Sequence, residues 1–287
     1  MPGIAETALA GKKSMTKSAD TIAAKTITVI TTIRNGHGHW PGFFANLKAL
    51  LGQNDAAILV DDGSFPAVCL PPVLQDDTRV TLLSPGRIGR GAALNFAISH
   101  ARTDLIAIQD VDDRSDPARL RIMKQLAAHY RDHLIFCQAT RQDEADGVMP
   151  ASSLPENAPP RPIPAARLYR GNPFHHSGLA FPKTLWQMAG GYDTTLPCCL
   201  DLDFYLRCLA QSGQPLQLLS CPLVTRHTGV DRHYARLPAR IYHETVLNIR
   251  AKYRPRIEPP FWTYLYDLRH FALAIYARIK WRQNSDA

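Results

Sequence analysis

The sequence predicts an α/β protein: a mostly parallel sheet flanked by helices, with a helical extension at its C-terminal end. Three observations predict it. Short β-branched or aliphatic runs alternate with helix-like segments through the first half of the chain. Two of those runs end in carboxylate clusters, and ligands bind such sheets beyond the carboxyl ends of their strands. With 287 residues, 45% apolar and 20% charged, the chain can also bury a real core.

The first twenty residues carry Lys12, Lys13 and Lys17 with no apolar stretch behind them, so residues 1–25 read as a disordered tail rather than a secretory leader. Thr26–Arg34 is short and β-branched, which predicts a buried strand. Pro41–Leu51 follows as a helix, with Pro41 suited to its first turn. Ala56–Val60 is the second strand and runs into Asp61-Asp62-Gly63-Ser64. Val80–Leu83 is the third, and Ile88–Ala101 an Ala-rich helix. Leu105–Ile108 is the fourth strand, followed by Asp110-Val111-Asp112-Asp113. Asp116-Pro117 opens a helix to Tyr130, an acidic cap followed by proline being a start signal. Leu134–Gln138 is the fifth strand. Residues 143–166 hold six prolines and read as one long loop. Beyond it come a helix near Pro182–Ala189, a turn at Gly190-Gly191 and a helix over Leu202–Ser212. From Ala235 onward the pattern gives two helices broken by Pro255, Pro259 and Pro260. This divides the chain into the tail, a main domain over 26–230 and an extension over 231–287.

The net charge is +8, and the excess is concentrated. Residues 226–287 contain twelve Lys and Arg against five Asp and Glu, with Trp262, Tyr264, Tyr266, Phe271, Tyr276 and Trp281 interleaved. A basic aromatic segment suits an anionic surface, either nucleic acid or the inner face of a membrane. Phe261, Leu265, Leu268, Ala272, Ile275 and Ile279 fall at helical spacing, with Arg269, Arg278, Lys280 and Arg282 around them. That stripe fits peripheral membrane contact through residues 260–282. It fits somewhat better a helix packed on the domain or on a second subunit, so an oligomer is a further expectation. The longest apolar run, Phe271–Ala277, is far short of the about 20 residues a spanning helix needs. The six cysteines form no CxxC pair and read as reduced thiols of a cytoplasmic protein, not a zinc site.

The two carboxylate clusters should share one rim of the sheet. Crowded acidic side chains repel, and a divalent cation with oxygen ligands, Mg²⁺ or Mn²⁺, relieves that repulsion while keeping phosphate oxygens as co-ligands. Gly86-Arg87-Ile88-Gly89-Arg90-Gly91 leads into a helix between them. It is neither a Walker A loop nor a dinucleotide fingerprint, yet a Gly-rich helix start with two arginines suits an anion.

These motifs resemble those of family 2 glycosyltransferases with the GT-A fold. The resemblance runs from about Ile27 to His227. It rests on Val29–Asn35 (VITTIRN), Leu59–Ser64 (LVDDGS), Arg87–Ala101 (RIGRGAALNFAISHA), Ile106–Leu120 (IAIQDVDDRSDPARL), Gly190–Asp193 (GGYD) and Asp201–Arg207 (DLDFYLR), in family order. It implies an inverting, metal-dependent enzyme that moves one sugar from a nucleotide-diphosphate sugar to a hydroxyl acceptor, a glycan or lipid-linked precursor of the cell envelope or an exopolysaccharide.

By that resemblance Asp62 holds the base with Thr32 and Arg34 nearby, and Arg90 holds the nucleotide. Asp110 serves the ribose or the metal, Asp112 and Asp113 the metal, and His227 completes the metal or phosphate site. Asp201 is the general base. His175 and His176 fall on the acceptor side, while His37 and His39 read as loop residues. The chain departs from the pattern at Thr31, where many relatives have proline, and at Arg34, where an aromatic is common. Leu200 stands where an acidic neighbour of the base is usual. The Q-x-x-R-W motif of processive polymer synthases and their membrane helices are missing, so single-sugar transfer is expected. Three alternatives stand beside this reading: a sugar-nucleotide nucleotidyltransferase, a basic nucleic-acid-binding protein, and a silent sugar-binding relative. The first usually has a lysine-ended loop after its first strand, whereas Arg34–His39 has none. Nucleic acid is disfavoured because carboxylates in the cleft repel phosphates.

Overall fold

The structure, a computed structural model, describes residues 26–141, 159–228 and 237–285. The expected tail over 1–25, residues 142–158 of the proline-rich stretch, and the side chains of Trp281 and Arg282 lie outside what is described.

β1 (Ile27–Ile33) is the centre of a parallel group. β2 (Ala56–Asp61) and β4 (Leu105–Ile108) flank it in parallel, with Ile30 opposite Ile58 on one side and Ile108 on the other. β3 (Val80–Leu83) lies parallel outside β2. Successive side chains of a strand point to opposite faces. Accordingly Ile30, Val60 and Ile106 join one core with Ala97, Phe136 and Phe204, while Val29, Leu59 and Ala107 join another with Leu47 and Met123. Burial on both faces explains why these strands read as continuous apolar runs.

The second half of the sheet is mixed. β8 (Leu179–Pro182) pairs antiparallel with β4 and with β6 (Ile135–Arg141). β9 (Leu216–Arg226) lies parallel to β6, and β5 (Arg114–Ser115) and β7 (Arg161–Ile163) lie antiparallel to β9. The order is β3-β2-β1-β4-β8-β6-β9-β5, with β7 beside β9. The reversal of β8 has a consequence for the site. An antiparallel neighbour begins where β4 ends, so the residues leading into β8 arrive beside Asp110.

The helices cover both faces. α1 (Trp40–Leu50) and α4 (Arg119–His129) supply Leu47 and Met123 to one core. α3 (Arg90–His100), α5 (Lys183–Ala189), α6 (Leu200–Ser212) and α7 (Ala239–Ile257) supply Ala97, Leu185, Phe204 and Ile249 to the other. A short α2 (Pro72–Gln75) precedes β3, and α8 (Tyr264–Ser285) ends the described chain.

Several boundaries differ from the sequence expectation for identifiable reasons. Residues 161–163 are a strand rather than loop, and Pro162 is tolerated because β7 is a short edge strand. α3 starts at Arg90 because the amides of Ile88 and Gly89 are taken by Asp62. α4 starts at Arg119, since Asp116 Oδ1 accepts the N–H of Ala118 at 2.7 Å in a turn before it. Pro255 sits in the last turn of α7 without ending it; the break comes at Pro259-Pro260.

Candidate active site

Because β1, β2 and β4 run parallel, the loops after all three meet at one rim. The two aspartates after β2 take different parts. Asp61 accepts backbone N–H groups of Ser64 (2.8 Å) and Val68 (3.0 Å) and so shapes its own loop. Asp62, also buried, uses Oδ1 for the N–H groups of Ile88 (2.7 Å) and Gly89 (2.8 Å). It thereby fixes the Gly-rich start of α3 against the rim. Thr32 is half-buried near the end of β1, and Arg34 is exposed just past it.

Asp110, Asp112 and Asp113 bring carboxylate oxygens within 4.8 Å of one another, and their environments differ. Asp113 is buried and held by protein groups: Oδ2 accepts from His175 Nε2 and Ser177 Oγ, and Oδ1 accepts the N–H of His227 at 3.0 Å. Asp110 Oδ1 accepts from Arg90 Nη2 at 2.7 Å. Burial raises its carboxyl, but Arg90, then His176 and His175, outweigh this and leave it below its ordinary value. For Asp112 the compensation, which includes the charge of His39, is too weak. Burial, then the charges of Asp110 and Asp113, push its carboxyl up to about 6. A dication would relieve that strain, and three carboxylates are hard oxygen donors suited to Mg²⁺ or Mn²⁺, so the residues fit such an ion. His227 lies beside this group rather than in it. Its ring meets that of His39 at 4.7 Å, and both line a cleft of ≈ 230 Å³ with Asp112, Asp113 and Arg114. His37 faces elsewhere, with Nε2 at 3.3 Å from the carbonyl of Pro66, so the two loop histidines are not a pair.

A buried arginine braces the cluster from behind. Arg119 donates to Gln109 Oε1 (2.9 Å), Ser115 Oγ (2.9 Å) and the carbonyl of Ile108 (2.7 Å). Gln109 Nε2 in turn donates to the carbonyl of Asp113 at 2.9 Å. Ser177 Oγ accepts the N–H of Asp110 at 2.9 Å, tying β4 to the start of β8.

The expected acceptor side is built from α3, α5 and α6. Asn95 accepts from the Tyr192 N–H (2.7 Å) and Trp186 Nε1 (2.9 Å) and donates to the Tyr192 carbonyl (2.8 Å). Side chains at two glycines would separate these parts: a Cβ on Gly91 would lie 3.1 Å from the Asp193 carbonyl oxygen, and one on Gly191 2.6 Å from Asn95 Oδ1. Arg207 donates to the carbonyls of Ala189 (3.1 Å) and Gly191 (2.9 Å) and pairs with Asp203. The network does not engage Asp201, half-buried in the first turn of α6, to whose Oδ2 Asn172 Nδ2 donates at 2.6 Å. Asp201 acts electrostatically on both Arg90 and His176. His176 is buried; Arg90 Nη2 approaches its Nδ1 at 3.4 Å and Tyr192 Oη its Nε2 at 3.0 Å. Burial pushes this ring down to about 4, with Arg90 adding to the effect against Asp110. The ring is therefore neutral at pH 7. Arg90 can only donate, so the proton sits on Nε2 and points at Tyr192.

Sequence reasoning thus placed Asp62, Arg90, Asp110, Asp112, Asp113 and Asp201 around one rim. It missed Ser177 and Asn172, which lie in no quoted motif, and Arg119, which lies within the Ile106–Leu120 stretch but was given no role there.

Residues 28–183 match the family described as glycosyl transferase family 2. The chain belongs to this family. An uncharacterized glycosyltransferase of Methanocaldococcus jannaschii is 31% identical over 138 residues, 47% of this chain and 47% of that protein. The match thus spans about half the length of this curated relative. The crystal structure of S. aureus TarS 1–349 in complex with UDP-GlcNAc aligns with a TM-score of 0.62 at 12% identity, covering 87% of this chain and 70% of that one. The mannosyltransferase PcManGT from Pyrobaculum calidifontis, in complex with GDP-Man and Mn²⁺, aligns with a TM-score of 0.58 at 18% identity, covering 88% and 73%. At these identities the likeness is one of fold, and the fold is that of the GT-A glycosyltransferases.

Proposed function

We propose that this protein transfers one sugar from a nucleotide-diphosphate sugar to a hydroxyl acceptor, with inversion and with a divalent cation. The observation that carries the proposal is the three-aspartate group at the carboxyl end of β4, in which burial and the charges of Asp110 and Asp113 push the Asp112 carboxyl up to about 6. The nucleotide sugars and Mn²⁺ bound by the two solved relatives support it. Asp112 would hold the metal with Asp110 or Asp113, and His227 stands at the edge of that site. When bound, the ion supplies a positive charge that stabilises the diphosphate leaving group. Asp62, Thr32 and Arg34 form the base side, and Arg90 offers a guanidinium to the donor's phosphates. Asp201, oriented by Asn172, accepts the proton of the attacking hydroxyl on the far side of the sugar. Attack opposite the leaving group inverts the anomeric centre. A glycan or lipid-linked precursor of the cell envelope or an exopolysaccharide suits this chemistry. We further propose that residues 26–230 form the transferase unit and 231–287 its extension, acting in the cytoplasm.

The experiment is release of nucleoside diphosphate from a panel of UDP- and GDP-sugars, with Mn²⁺ or EDTA. Metal-dependent release from one donor, lost in Asp112→Asn, is expected. Release of pyrophosphate from a nucleoside triphosphate and a sugar phosphate would instead establish the nucleotidyltransferase.

A further inference from the structure

The face that α8 turns to the protein is its polar one. Asp267 pairs with Arg250 (3.1 Å) and with Arg254, His270 Nδ1 meets His243 Nδ1 at 2.9 Å, and Ala274 is buried. The apolar stripe read from the sequence points outward, so it is not what seats the helix on the domain. Leu265 is 66% exposed, Leu268 62%, Phe271 56% and Ile279 51%, and Phe261, in the turn before the helix, is 85% exposed. Single exposed leucines are ordinary, whereas a contiguous stripe along a helix marks an interaction surface.

Charge identifies the occupant. Arg269 and Lys280 are exposed on the helix, and Arg278 is exposed while reaching Glu244 at 3.3 Å. Asp267, the acidic residue of Tyr264–Ser285, is turned inward to its two arginines. A second copy stacked on this face would oppose one basic flank with another. An anionic bilayer offers both requirements together: an apolar layer for the stripe and phosphate groups for long basic side chains that reach back to the surface.

We propose that the outward face of α8 lies in the plane of an anionic lipid bilayer and docks the protein there. This inference does not depend on the transferase reading. It would nevertheless place the acceptor side near lipid. The Arg170 guanidinium packs over Trp262 at 5.1 Å, and two residues further on Asn172 holds Asp201.

The test is co-sedimentation of the full chain with vesicles of phosphatidylcholine, with and without phosphatidylglycerol, beside light scattering without vesicles. Binding should require phosphatidylglycerol, weaken with salt, and fall at least about tenfold in Leu268→Asp/Ile275→Asp. Both side chains are exposed, so the variant should melt as the parent does. No binding to anionic vesicles, or equal binding by the variant, would overturn the proposal. So would a dimer in solution that the variant dissolves, with no vesicle binding by either.

Discussion

Replacing Asn95 with alanine removes one side chain that serves three partners. The Tyr192 and Trp186 N–H groups lose their acceptor, and the Tyr192 carbonyl loses its donor. All three are partly buried, so water replaces the lost bonds poorly. At about 1 kcal/mol for each, the variant should be less stable by about 3 kcal/mol. For a chain of this size that corresponds to a melting temperature lower by roughly 6–12 °C. Asn95→Asp keeps an oxygen for the two N–H groups but sets a second carboxylate oxygen against the Tyr192 carbonyl, so it should recover only part of the loss. The loss should also reach Arg90 and Asp110, because Tyr192 Oη supports His176, and His176 sits against Arg90. Urea unfolding of the three proteins gives the stabilities, and donor turnover gives the second readout. If Asn95→Ala lies within about 0.5 kcal/mol of the parent, the helix-to-turn network does not hold this part of the fold.

Three further outcomes are expected. Asp201→Asn should lower kcat by about 10²–10⁴ while leaving nucleotide binding within about twofold, as steady-state kinetics and calorimetry would report. Arg119→Met should destabilise by at least about 3 kcal/mol, since Gln109, Ser115 and the Ile108 carbonyl lose a buried donor together; urea midpoints test this. His270 is held down to about 4, first by burial and then by Arg250, against an ordinary value of 6.5. A histidine kept neutral by the fold favours unfolding as pH falls, so its contribution is intact above pH 6.5 and lost progressively towards pH 4. The ring is partly exposed, so the loss should be about 1 kcal/mol, and in His270→Gln the stability lost between pH 7 and pH 4.5, read by urea unfolding, should be smaller by about that amount.

The parts of the fold legible in the sequence are those that local pattern determines. β1, β2 and β4 are buried on both faces and read as apolar runs, and the carboxylates at the ends of β2 and β4 are visible at once. β8 is four residues long and ends in proline, and two histidines precede it, so nothing marks it as a strand. The pairing of β9 with β6 shifts register twice around Gln138, and Pro222 interrupts the strand's own pattern. The links that build the site span long stretches of chain. Ser177 and His175 reach Asp113 from more than sixty residues away. Arg119 looks like any surface arginine on an amphipathic helix until the carbonyls around it are seen. α8 misleads in the other direction: its stripe is real, but Asp267 and His270 seat the helix on its polar side.

In the proposed site the aspartates after β4 hold a divalent cation that the nucleotide-sugar donor shares. Thermal unfolding with UDP and GDP, in Mn²⁺ or in EDTA, tests it most directly, using the parent protein and Asp112→Asn. A ligand that binds only the folded state at about a hundred times its Kd stabilises by about 2.7 kcal/mol, enough to move the melting temperature by several degrees. That shift is expected for one nucleotide, in Mn²⁺ alone, and should be lost in Asp112→Asn. An equal shift in EDTA, an undiminished shift in the variant, or no shift with either nucleotide would contradict it.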